Sequence, residues 1–426
     1  MGTPAMLLSA PSSGQGKSII TAALARLHRN AGRRVRVFKH GPDYLDPMLQ
    51  ERASGAPVYQ LHPWMTGAGE CRARLAAAAR EADVVLVEGA MGLFDGDPSS
   101  ADLAALAGLP VAVVVDARAM AETYGALVAG LARHRDDIQV VGALANRVDR
   151  PGHARTLAGS LPEGVAWLGA VPRAEALQLP DRHLGLVQAD EVDDLDARLD
   201  AAAGVLAEAG LGALPPPVAL EAEPLPAPPR LLQGQRIAVA RDAAFGFIYR
   251  ANLELLEAMG ATVCPFSPLR DAALPAADAL WLPGGYPELY AAELAGNAAM
   301  QAAIRGHHEA GRPILAECGG LMYCAEALVT GDGTAHRMLG LLPGRAEMAG
   351  RLTGIGLQAW ERVEGALRGH TFHHSRLHTA LTPAAETVRR SGSPAEAVYR
   401  VGSLTATYFH AYFPSSPEVV AALLTR

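Results

Sequence analysis

The chain has 426 residues, 50% of them hydrophobic, and a formal net charge of −7. At about 150 residues per domain this length predicts two or three domains with sizeable cores, and the composition excludes an intrinsically disordered chain. Net acidity without a Lys/Arg-rich run argues against a nucleic-acid or anionic-membrane partner, and no apolar stretch reaches the roughly 18 residues of a membrane span.

Short apolar runs alternate with helix-period stretches through the first half of the chain. Six runs are nearly continuous in apolar character, which is typical of strands buried on both faces. They are Met6–Ala10, Arg34–Lys39, Asp83–Glu88, Pro110–Asp116, Val140–Asn146 and Ala166–Val171. The stretches Ser18–Ala31 and Ala121–Arg133 carry apolar residues at helical spacing. The alternation predicts an α/β unit whose parallel sheet is covered on both sides.

A glycine-rich turn follows the first predicted strand and precedes the first predicted helix. The candidate phosphate-binding residues in it are Gly14, Gln15, Gly16, Lys17 and Ser18. Backbone N–H groups and a helix N-terminus can hold phosphate there, the lysine adds positive charge, and the Ser18 hydroxyl can hold Mg²⁺. Pro11 occupies the position of the first glycine of the usual phosphate-loop pattern. The alternative is an ordinary turn with a solvated lysine; the strand–turn–helix context favours a nucleotide.

Two acidic segments follow the second and third predicted strands, Lys39–Pro47 and Glu88–Gly96. In a parallel sheet they lie at the carboxyl edge beside the phosphate loop, where ligands bind. Hard cations prefer carboxylate oxygens, so we expect Asp43 and Glu88 to bind Mg²⁺. The alternative is turn chemistry, which is credible for the other acids of these segments and weaker for Glu88. Those other acids are Asp46, Asp95 and Asp97.

The segment Pro215–Pro229 is rich in proline and separates two halves of similar pattern. Such a segment favours polyproline II and is not expected to form a packed element. We therefore predict a first domain over residues 1–212, a linker over 213–232 and a second domain over 233–426.

The second half begins with the same alternation and changes after about residue 335 to shorter β-like pieces. The predicted strands are Arg236–Ala240, Thr262–Pro265, Ala279–Pro283 and Pro313–Glu317, and the predicted helices are Tyr249–Met259 and Asn297–Ala310. The later β-like pieces include Arg351–Ala359, Gly369–Ser375 and Thr405–Phe409.

Cys318 ends a predicted strand and precedes two glycines and a helical pattern. A sharp strand-to-helix turn exposes a thiol near a helix N-terminus, which favours thiolate. The N–H of Gly319 can stabilise an oxyanion, and Gly285 can supply a second donor. We expect His410, at the end of a strand-like run, to be the base. A lone cysteine is usually a core residue, and Cys71, Cys264 and Cys324 are interpreted in that way.

Six segments, in order, resemble the cobyrinic acid a,c-diamide synthase family, which includes the hydrogenobyrinic acid enzymes. They are APSSGQGKS, FKHGPDYLDP, VEGAMGLFDG, LWLPGGYPE, LAECGGLMY and ATYFHAYF. The resemblance implies a dethiobiotin-synthetase-like ATP domain fused to a class I glutamine amidotransferase-like α/β domain. In it Lys39 contacts phosphate, Cys318 is the glutaminase nucleophile and His410 raises its nucleophilicity. The implied reaction amidates the a and c acetate carboxylates of a corrinoid through acyl phosphates, using ATP, Mg²⁺ and glutamine.

Some residues depart from the patterns expected of triad amidotransferases and of this family. Tyr412 stands two residues after the histidine, where many triad amidotransferases have Glu, and Thr371 and His374 replace the expected Glu and Tyr. The spacing of the nearby histidines fits no closed zinc pattern. These histidines are His370, His373, His374 and His378. Arginines are suitable partners for substrate carboxylates, and the candidates are Arg345, Arg351 and Arg376.

Other functions remain open from the sequence. The nearest alternatives are cobyric acid synthase and nickel-sirohydrochlorin a,c-diamide synthase. A partitioning-type P-loop ATPase does not need Cys318 or His410, and a stand-alone glutaminase leaves the phosphate loop unexplained. No basic segment precedes the first apolar run, and four cysteines are too few for a disulfide scaffold. We therefore expect a cytoplasmic, reduced protein without a signal peptide. A homodimer is a possible assembly, and the sequence does not determine the oligomeric state.

Overall fold

The computed structural model describes residues 2–178 and 192–425. The chain divides into two compact units between Leu225 and Pro226. Within the described ranges, no helix is both long and apolar enough to cross a bilayer.

The first unit is a parallel sheet with helices on both faces, as predicted. Its strands are β1 (Thr3–Ser9), β2 (Val35–His40), β3 (Tyr59–Leu61), β4 (Val84–Glu88), β5 (Val111–Asp116), β6 (Val140–Asn146), β7 (Ala166–Val171) and β8 (Pro217–Val218). Its helices are α1 (Lys17–Asn30), α2 (Leu45–Ser54), α3 (Ala68–Glu81), α4 (Ser100–Ala107), α5 (Thr123–Arg133), α6 (Pro151–Gly159) and α7 (Leu195–Glu208). The parallel strands lie in the order β3-β2-β4-β1-β5-β6-β7.

Strand β1 shows why both faces of this sheet are covered. Successive side chains of a strand point to opposite faces. Leu7 belongs to a core that includes Leu75 of α3 and Leu103 of α4. Its neighbour Leu8 belongs to a separate core that includes Ile20 of α1. A strand with apolar residues on both faces therefore anchors two helical layers.

The proline-rich segment is not free of regular structure at its start. Pro217–Val218 pairs antiparallel with the first residues of β1, and the Ala5 N–H donates to the Pro216 carbonyl at 3.2 Å. The expectation that this whole segment forms no packed element is therefore wrong for its first residues. Proline lacks an N–H but keeps its carbonyl, which is sufficient to accept at the edge of a strand.

The second unit contains a large mixed sheet and a small sheet. Its strands are β9 (Arg236–Ala240), β10 (Thr262–Phe266), β11 (Ala279–Leu282), β12 (Ile314–Glu317), β13 (Ala325–Val329), β14 (Ala335–Arg337), β15 (Leu342–Met348), β16 (Gly354–Arg362), β17 (Gly365–His373), β18 (Ser375–His378), β19 (Ala385–Arg389), β20 (Pro394–Val401), β21 (Leu404–Thr407) and β22 (His410–Ala411). Its helices are α8 (Arg250–Ala258), α9 (Ala291–Gly296), α10 (Ala298–Glu309), α11 (Gly319–Cys324) and α12 (Pro417–Leu424).

The large sheet runs in the order β10-β9-β11-β12-β21-β20-β19-β16-β17-β22, and the small one in the order β14-β13-β15-β18. Strands β10, β9, β11, β12 and β21 are mutually parallel, and the others of the large sheet are antiparallel to their neighbours. The predicted change of pattern after about residue 335 falls at β14 of the small sheet, and the antiparallel part of the large sheet begins later in the chain, with β16 at Gly354.

Candidate active sites

The predicted phosphate loop lies between β1 and α1, as expected. Gly14 and Gly16 have φ of +79° and +93°, the left-handed region that favours glycine. A Cβ on Gly16 would lie 2.4 Å from the Asn146 side-chain nitrogen. The turn therefore requires glycine at position 16 for two separate reasons.

Gln15 ties this loop to two strand ends. Its carbonyl accepts from the Asn146 amide at 2.9 Å, and its side-chain oxygen accepts from the Asp116 N–H at 2.7 Å. Both partners end strands, β6 and β5, at the same edge of the sheet. Neither residue was predicted to belong to the site, although both stand at the ends of predicted strands, Pro110–Asp116 and Val140–Asn146.

Lys17 reaches back across the loop. Its ammonium donates to the Ser12 carbonyl at 3.2 Å and to the Met91 carbonyl at 2.6 Å. Met91 belongs to the segment that follows β4, which confirms that this segment lies beside the loop. Burial lowers the pKa of Lys17, while the charge of Glu88 acts in the opposite direction.

A lysine, a serine and two carboxylates converge at the carboxyl ends of neighbouring strands. In the pairing of β2 with β4, Lys39 lies opposite Glu88. The Lys39 ammonium lies 2.8 Å from Glu88 Oε1 and 2.6 Å from Asp46 Oδ2. The Ser18 hydroxyl lies within hydrogen-bond distance of the same two oxygens, 2.8 Å from Glu88 Oε1 and 3.0 Å from Asp46 Oδ2, and donates its single proton to one of them. Ser18, Lys39 and Glu88 are thus brought together as the sequence predicted.

The two aspartates after β2 differ in their contacts. Asp43 Oδ1 accepts from the backbone N–H groups of Leu45 and Asp46, and its Oδ2 lies 3.8 Å from the Lys39 ammonium. Asp46 instead contacts Ser18 and Lys39 directly. The alternative of turn chemistry does not describe these side-chain contacts of Asp46, whereas one oxygen of Asp43 makes the backbone hydrogen bonds typical of a turn. The assignment of Asp43 to a metal stays a prediction.

The carboxyl groups of this cluster and the Lys39 ammonium shift one another's pKa values. Burial raises the pKa of Glu88 to about 8 and that of Asp43 to about 7, and in both cases the charge of Asp46 adds to the effect. Burial acts to lower the pKa of Lys39, but the charges of Glu88 and Asp46 raise it overall. The ammonium groups of Lys39 and Lys17 both interact with this cluster, and two of its three carboxyl groups have pKa values near or above neutral. A cation that replaced those protons would be stabilised by the resulting carboxylates.

Gln50 is a buried contributor that the sequence analysis missed. Its side-chain amide donates to the second carboxylate oxygen of Glu88. Because Ser18 and Lys39 bind the first oxygen, both oxygens of this carboxylate have fixed partners. Gln50 lies on α2, four residues after Asp46, so the two side chains share one face of the helix. Predicting a helix over this segment would therefore have placed Gln50 beside Asp46.

In the second unit, Cys318 occupies the sharp turn between β12 and α11. It is one of four residues other than glycine with positive φ among those described, at +46°. Its backbone N–H donates to the Thr407 carbonyl at 2.8 Å. Such strained backbone is characteristic of functional turns and supports the predicted elbow.

The expectation that this turn favours thiolate is wrong for the free protein. Cys318 is only 5% exposed. Burial and the charge of Glu288 raise the pKa of the thiol, and a hydrogen bond from the Gly319 backbone offsets part of the effect. Helix α11, which follows the cysteine, has six residues.

The two predicted oxyanion-hole residues lie beside each other. A Cβ on Gly319 would be 3.0 Å from the Gly285 nitrogen, and a Cβ on Gly285 would be 2.0 Å from the Ala244 carbonyl oxygen. Strands β11 and β12 are parallel neighbours, so their carboxyl ends carry Gly285 and Cys318 to one edge. Close backbone approach therefore accounts for both glycines.

His410 lies at the same edge of the sheet. Strand β12 pairs with β21, with Glu317 opposite Thr407, and His410 follows three residues later on β22. A Cβ on Gly284 would lie 2.3 Å from His410 Cε1. Burial, followed by the neighbouring His370 and His373, holds the pKa of His410 well below its usual value. The imidazole is neutral in the free protein.

Glu317, the residue before the cysteine, is a buried acid that the sequence analysis passed over. Its carboxylate accepts from the Trp281 indole N–H and from the Ala411 N–H, both at 3.0 Å. Burial raises its pKa to about 8. Its role could have been suspected from the sequence, because it is an acid at the end of an apolar run and next to the candidate nucleophile.

The histidine-rich segment forms side-chain pairs within the second unit. His370 stacks on His410, and His373 stacks on Tyr408 and contacts the Glu396 carboxylate at 3.1 Å. Across residues 2–178 and 192–425 there is no group of three His, Cys, Asp or Glu side chains placed to hold a metal.

The remaining cysteines do not all belong to the core. Cys71 and Cys324 are buried as predicted, but Cys264 is partly exposed. It lies on β10, the edge strand of the large sheet, where one side has no neighbouring strand. The core assignment is therefore wrong for Cys264.

The three candidate arginines all lie at exposed positions. Arg345 is 3.6 Å from Glu347, and Arg376 lies opposite the same glutamate in the pairing of β15 with β18. Arg351 lies outside the strands. Their assignment to a substrate stays a prediction.

Two domain families match this chain in the two units. Residues 7–187 match the CobQ/CobB/MinD/ParA nucleotide binding domain, and residues 236–418 match the CobB/CobQ-like glutamine amidotransferase domain. The first range contains the phosphate loop and the second contains the cysteine elbow. The predicted combination of a nucleotide-binding unit with a glutamine amidotransferase unit is thereby confirmed.

Curated relatives match over nearly the full length. The hydrogenobyrinate a,c-diamide synthase of Pseudomonas aeruginosa is 57% identical, with 99% of this chain and 97% of the relative covered. That of Stutzerimonas stutzeri is 56% identical, with 99% and 98% covered. The cobyrinate a,c-diamide synthase of Herminiimonas arsenicoxydans is 49% identical, with 99% and 96% covered.

Proposed function

Because this chain belongs to the family of hydrogenobyrinate and cobyrinate a,c-diamide synthases, we propose that it amidates the a and c acetate side chains of a carboxylate-rich corrinoid. The cosubstrates are ATP and glutamine. The observation that carries this proposal is that one chain holds two complementary sites, a phosphate loop beside a lysine–carboxylate cluster and a cysteine elbow beside a buried histidine. Neither a regulatory ATPase nor a stand-alone glutaminase needs both.

The first unit activates the substrate carboxylate. A carboxylate is a poor acyl donor, so one of its oxygens attacks the γ-phosphorus of ATP, and ADP leaves an acyl phosphate behind. Lys17 and Lys39 neutralise charge that develops on the phosphoryl oxygens. Lys39 is already fixed between Glu88 and Asp46, so it approaches the phosphates from a defined position.

The residues beside the phosphate loop fit a divalent cation. Ser18 and Glu88 are the proposed ligands, and Asp43 remains a candidate ligand. The Asp46 carboxylate contacts the Ser18 hydroxyl directly. A hydroxyl and a few carboxylate oxygens match what Mg²⁺ takes from a protein when phosphates supply the rest. When bound, Mg²⁺ supplies positive charge on the phosphate oxygens. The raised pKa values of Glu88 and Asp43 support this assignment, because a cation can replace protons held near neutral pH.

The second unit releases ammonia. The Cys318 sulfur attacks the glutamine amide carbon while His410 takes the thiol proton, and the same imidazole returns a proton to the departing ammonia. Water then hydrolyses the thioester to glutamate. The amides of Gly285 and Gly319 are the proposed donors to the oxyanion. Ammonia attacks the acyl phosphate carbon, and inorganic phosphate leaves the new amide.

The experiment that tests this division of labour is a nitrogen-source assay of Cys318→Ala. With ATP and a corrinoid, we expect glutamine-dependent amidation to fall below 1% of the wild-type rate and ammonium-dependent amidation to persist. Cys264→Ser, which changes a partly exposed cysteine on an edge strand, is the matched control. Loss of both activities in a folded Cys318→Ala protein contradicts the proposal.

The same assay distinguishes the corrinoid. The relatives' names include both hydrogenobyrinate and cobyrinate enzymes. Parallel reactions with the metal-free and the cobalt-containing acids, compared by kcat/KM, identify the preferred substrate. If the enzyme converts neither of the two acids, the corrinoid assignment is contradicted, whatever the outcome with Cys318→Ala.

A further inference from the structure

The imidazole of His410 packs against a second imidazole. His370 and His410 lie directly opposite each other in the antiparallel pairing of β17 with β22. Their ring centroids are 4.9 Å apart and their planes differ by 15°. Both residues are buried. Directly opposite side chains of antiparallel strands touch, so His370 covers one face of the His410 ring.

Two glycines bring backbone close to His410. A Cβ on Gly284 would lie 2.3 Å from the Cε1 atom of the ring, and a Cβ on Gly369 would lie 2.0 Å from the His410 carbonyl oxygen. The Phe247 ring lies further out, with its centroid 6.4 Å from that of His410. The imidazole is therefore confined by His370 together with the backbone at Gly284.

His370 is itself held in place. The Tyr249 hydroxyl lies 3.0 Å from His370 Nδ1, within hydrogen-bond distance. Tyr249 is fully buried, and its ring packs edge-on against Tyr412, with centroids 5.6 Å apart. Tyr412 stands two residues after His410, where many triad amidotransferases carry an acid. The aromatic residue at that position thus supports Tyr249 and, through it, His370.

We propose that His370, held by Tyr249, is the positioning residue for His410. It orients the His410 imidazole, as the acid does in a catalytic triad. In triads the acid holds the histidine in the productive orientation through a hydrogen bond. Here a stacked ring and close backbone restrict the orientation of the imidazole. The inference rests on the proposed roles of Cys318 and His410.

The arrangement also accounts for the acid–base state of the site. A triad acid stabilises the imidazolium, whereas His370 is neutral or adds positive charge. Burial, His370 and His373 all lower the pKa of His410. The stack therefore orients the imidazole without favouring its protonated form, so the proton reaches it only as Cys318 reacts.

The test compares His370→Ala, His370→Phe and Tyr249→Phe in the full chain with its substrates. We expect His370→Ala to lower the glutamine-dependent kcat by about 10²-fold, the loss typical of a displaced catalytic group, with KM for glutamine within about twofold. His370→Phe retains a flat ring, and we expect its glutamine-dependent kcat to be at least about tenfold higher than that of His370→Ala. Tyr249→Phe is expected to lose several-fold.

Controls separate positioning from general damage. His378→Ala, a change at a half-exposed histidine on β18, is expected to behave as wild type. The rate of Cys318 alkylation by a glutamine-like chloroketone should fall in parallel with kcat, while ammonium-dependent amidation stays at the wild-type rate. An unchanged glutamine-dependent kcat in His370→Ala overturns the proposal, as does an equal loss of both activities. Glutamine use by Cys318→Ala instead overturns the proposed function.

Discussion

The Glu317 carboxylate accepts a hydrogen bond from the Ala411 N–H at 3.0 Å. Glu317 immediately precedes Cys318 and Ala411 immediately follows His410, so this bond ties together the two strand ends that carry the proposed nucleophile and base. The other oxygen of the carboxylate accepts from Trp281, also at 3.0 Å. The residue before the nucleophile thus fixes the backbone that carries the base.

Replacing this acid should change how stability depends on pH. Burial raises the pKa of Glu317 to about 8, so the folded protein binds its proton more tightly than the unfolded chain does. Its contribution to stability is fully present below about pH 4.5 and is lost as pH rises to about 8, at up to about 1.4 kcal/mol per pH unit. We expect the stability of the wild type relative to Glu317→Gln to fall over this range, as measured by urea unfolding.

The exposed Glu361 of β16 provides the matched control. Glu361→Gln should leave the pH dependence of unfolding unchanged. A constant stability difference between wild type and Glu317→Gln from pH 5 to pH 8 contradicts the protonation argument. Ammonium-dependent amidation by Glu317→Gln should persist, because the substitution alters only the second unit.

Adding one methyl group at Gly284 should disable glutamine use. The Cβ of Gly284→Ala would lie 2.3 Å from the His410 ring, so the imidazole must move. A displacement of about 1 Å costs on the order of 10²-fold in rate. We therefore expect Gly284→Ala to lower the glutamine-dependent kcat by about 10²-fold. Gly306→Ala on α10, where a Cβ meets nothing within 4 Å, should be active and at least as stable. Equal activity of the two variants is the contrary result.

The phosphate loop allows a paired test of steric fit. Gly14 and Gly16 share left-handed φ, but only at Gly16 does a Cβ meet a neighbour, the Asn146 side chain at 2.4 Å. Gly14→Ala carries backbone strain of about 1–2 kcal/mol, whereas Gly16→Ala adds a clash. We expect Gly16→Ala to weaken ATP binding at least about tenfold more than Gly14→Ala, as measured by calorimetry. Equal weakening argues against a role for the Asn146 contact.

The two aspartates after β2 should differ in their effect on magnesium. Asp46 contacts Ser18 and Lys39, while one oxygen of Asp43 is committed to backbone N–H groups. We expect Asp46→Asn to raise the Mg²⁺ concentration for half-maximal ATP-dependent amidation by about tenfold or more, and Asp43→Asn to raise it less. The measurement is a Mg²⁺ titration with ammonium as nitrogen source. The reverse order would assign the metal to Asp43.

Strands were the most predictable part of the fold. Val140–Asn146 and Ala166–Val171 match the observed β6 and β7 residue for residue, and β9 is likewise as predicted. Strands buried on both faces consist of continuous apolar residues, so their ends are visible where the apolar run stops. The three-residue β3 was missed because it is too short to form such a run.

Side-chain environment was less predictable. Cys264 and Cys324 were both predicted to be core residues, yet Cys264 lies on an edge strand and Cys324 is fully buried. The thiol of Cys318 is likewise buried by tertiary packing, and this burial raises its pKa. Neither the edge of a sheet nor the depth of a turn is a property of neighbouring residues along the chain.

The sequence by itself determined which residue types stand at the ends of the parallel strands, and with them the phosphate loop, the cysteine elbow and the family. Local order is sufficient for this, because turn glycines and strand ends are encoded by adjacent residues. The tertiary structure alone decided that Asp46 contacts Ser18, that Glu317 holds Ala411 and that His370 stacks on His410. Each of these contacts joins residues between 28 and 94 positions apart in the chain, and pairing over such distances depends on strand register and side-chain direction.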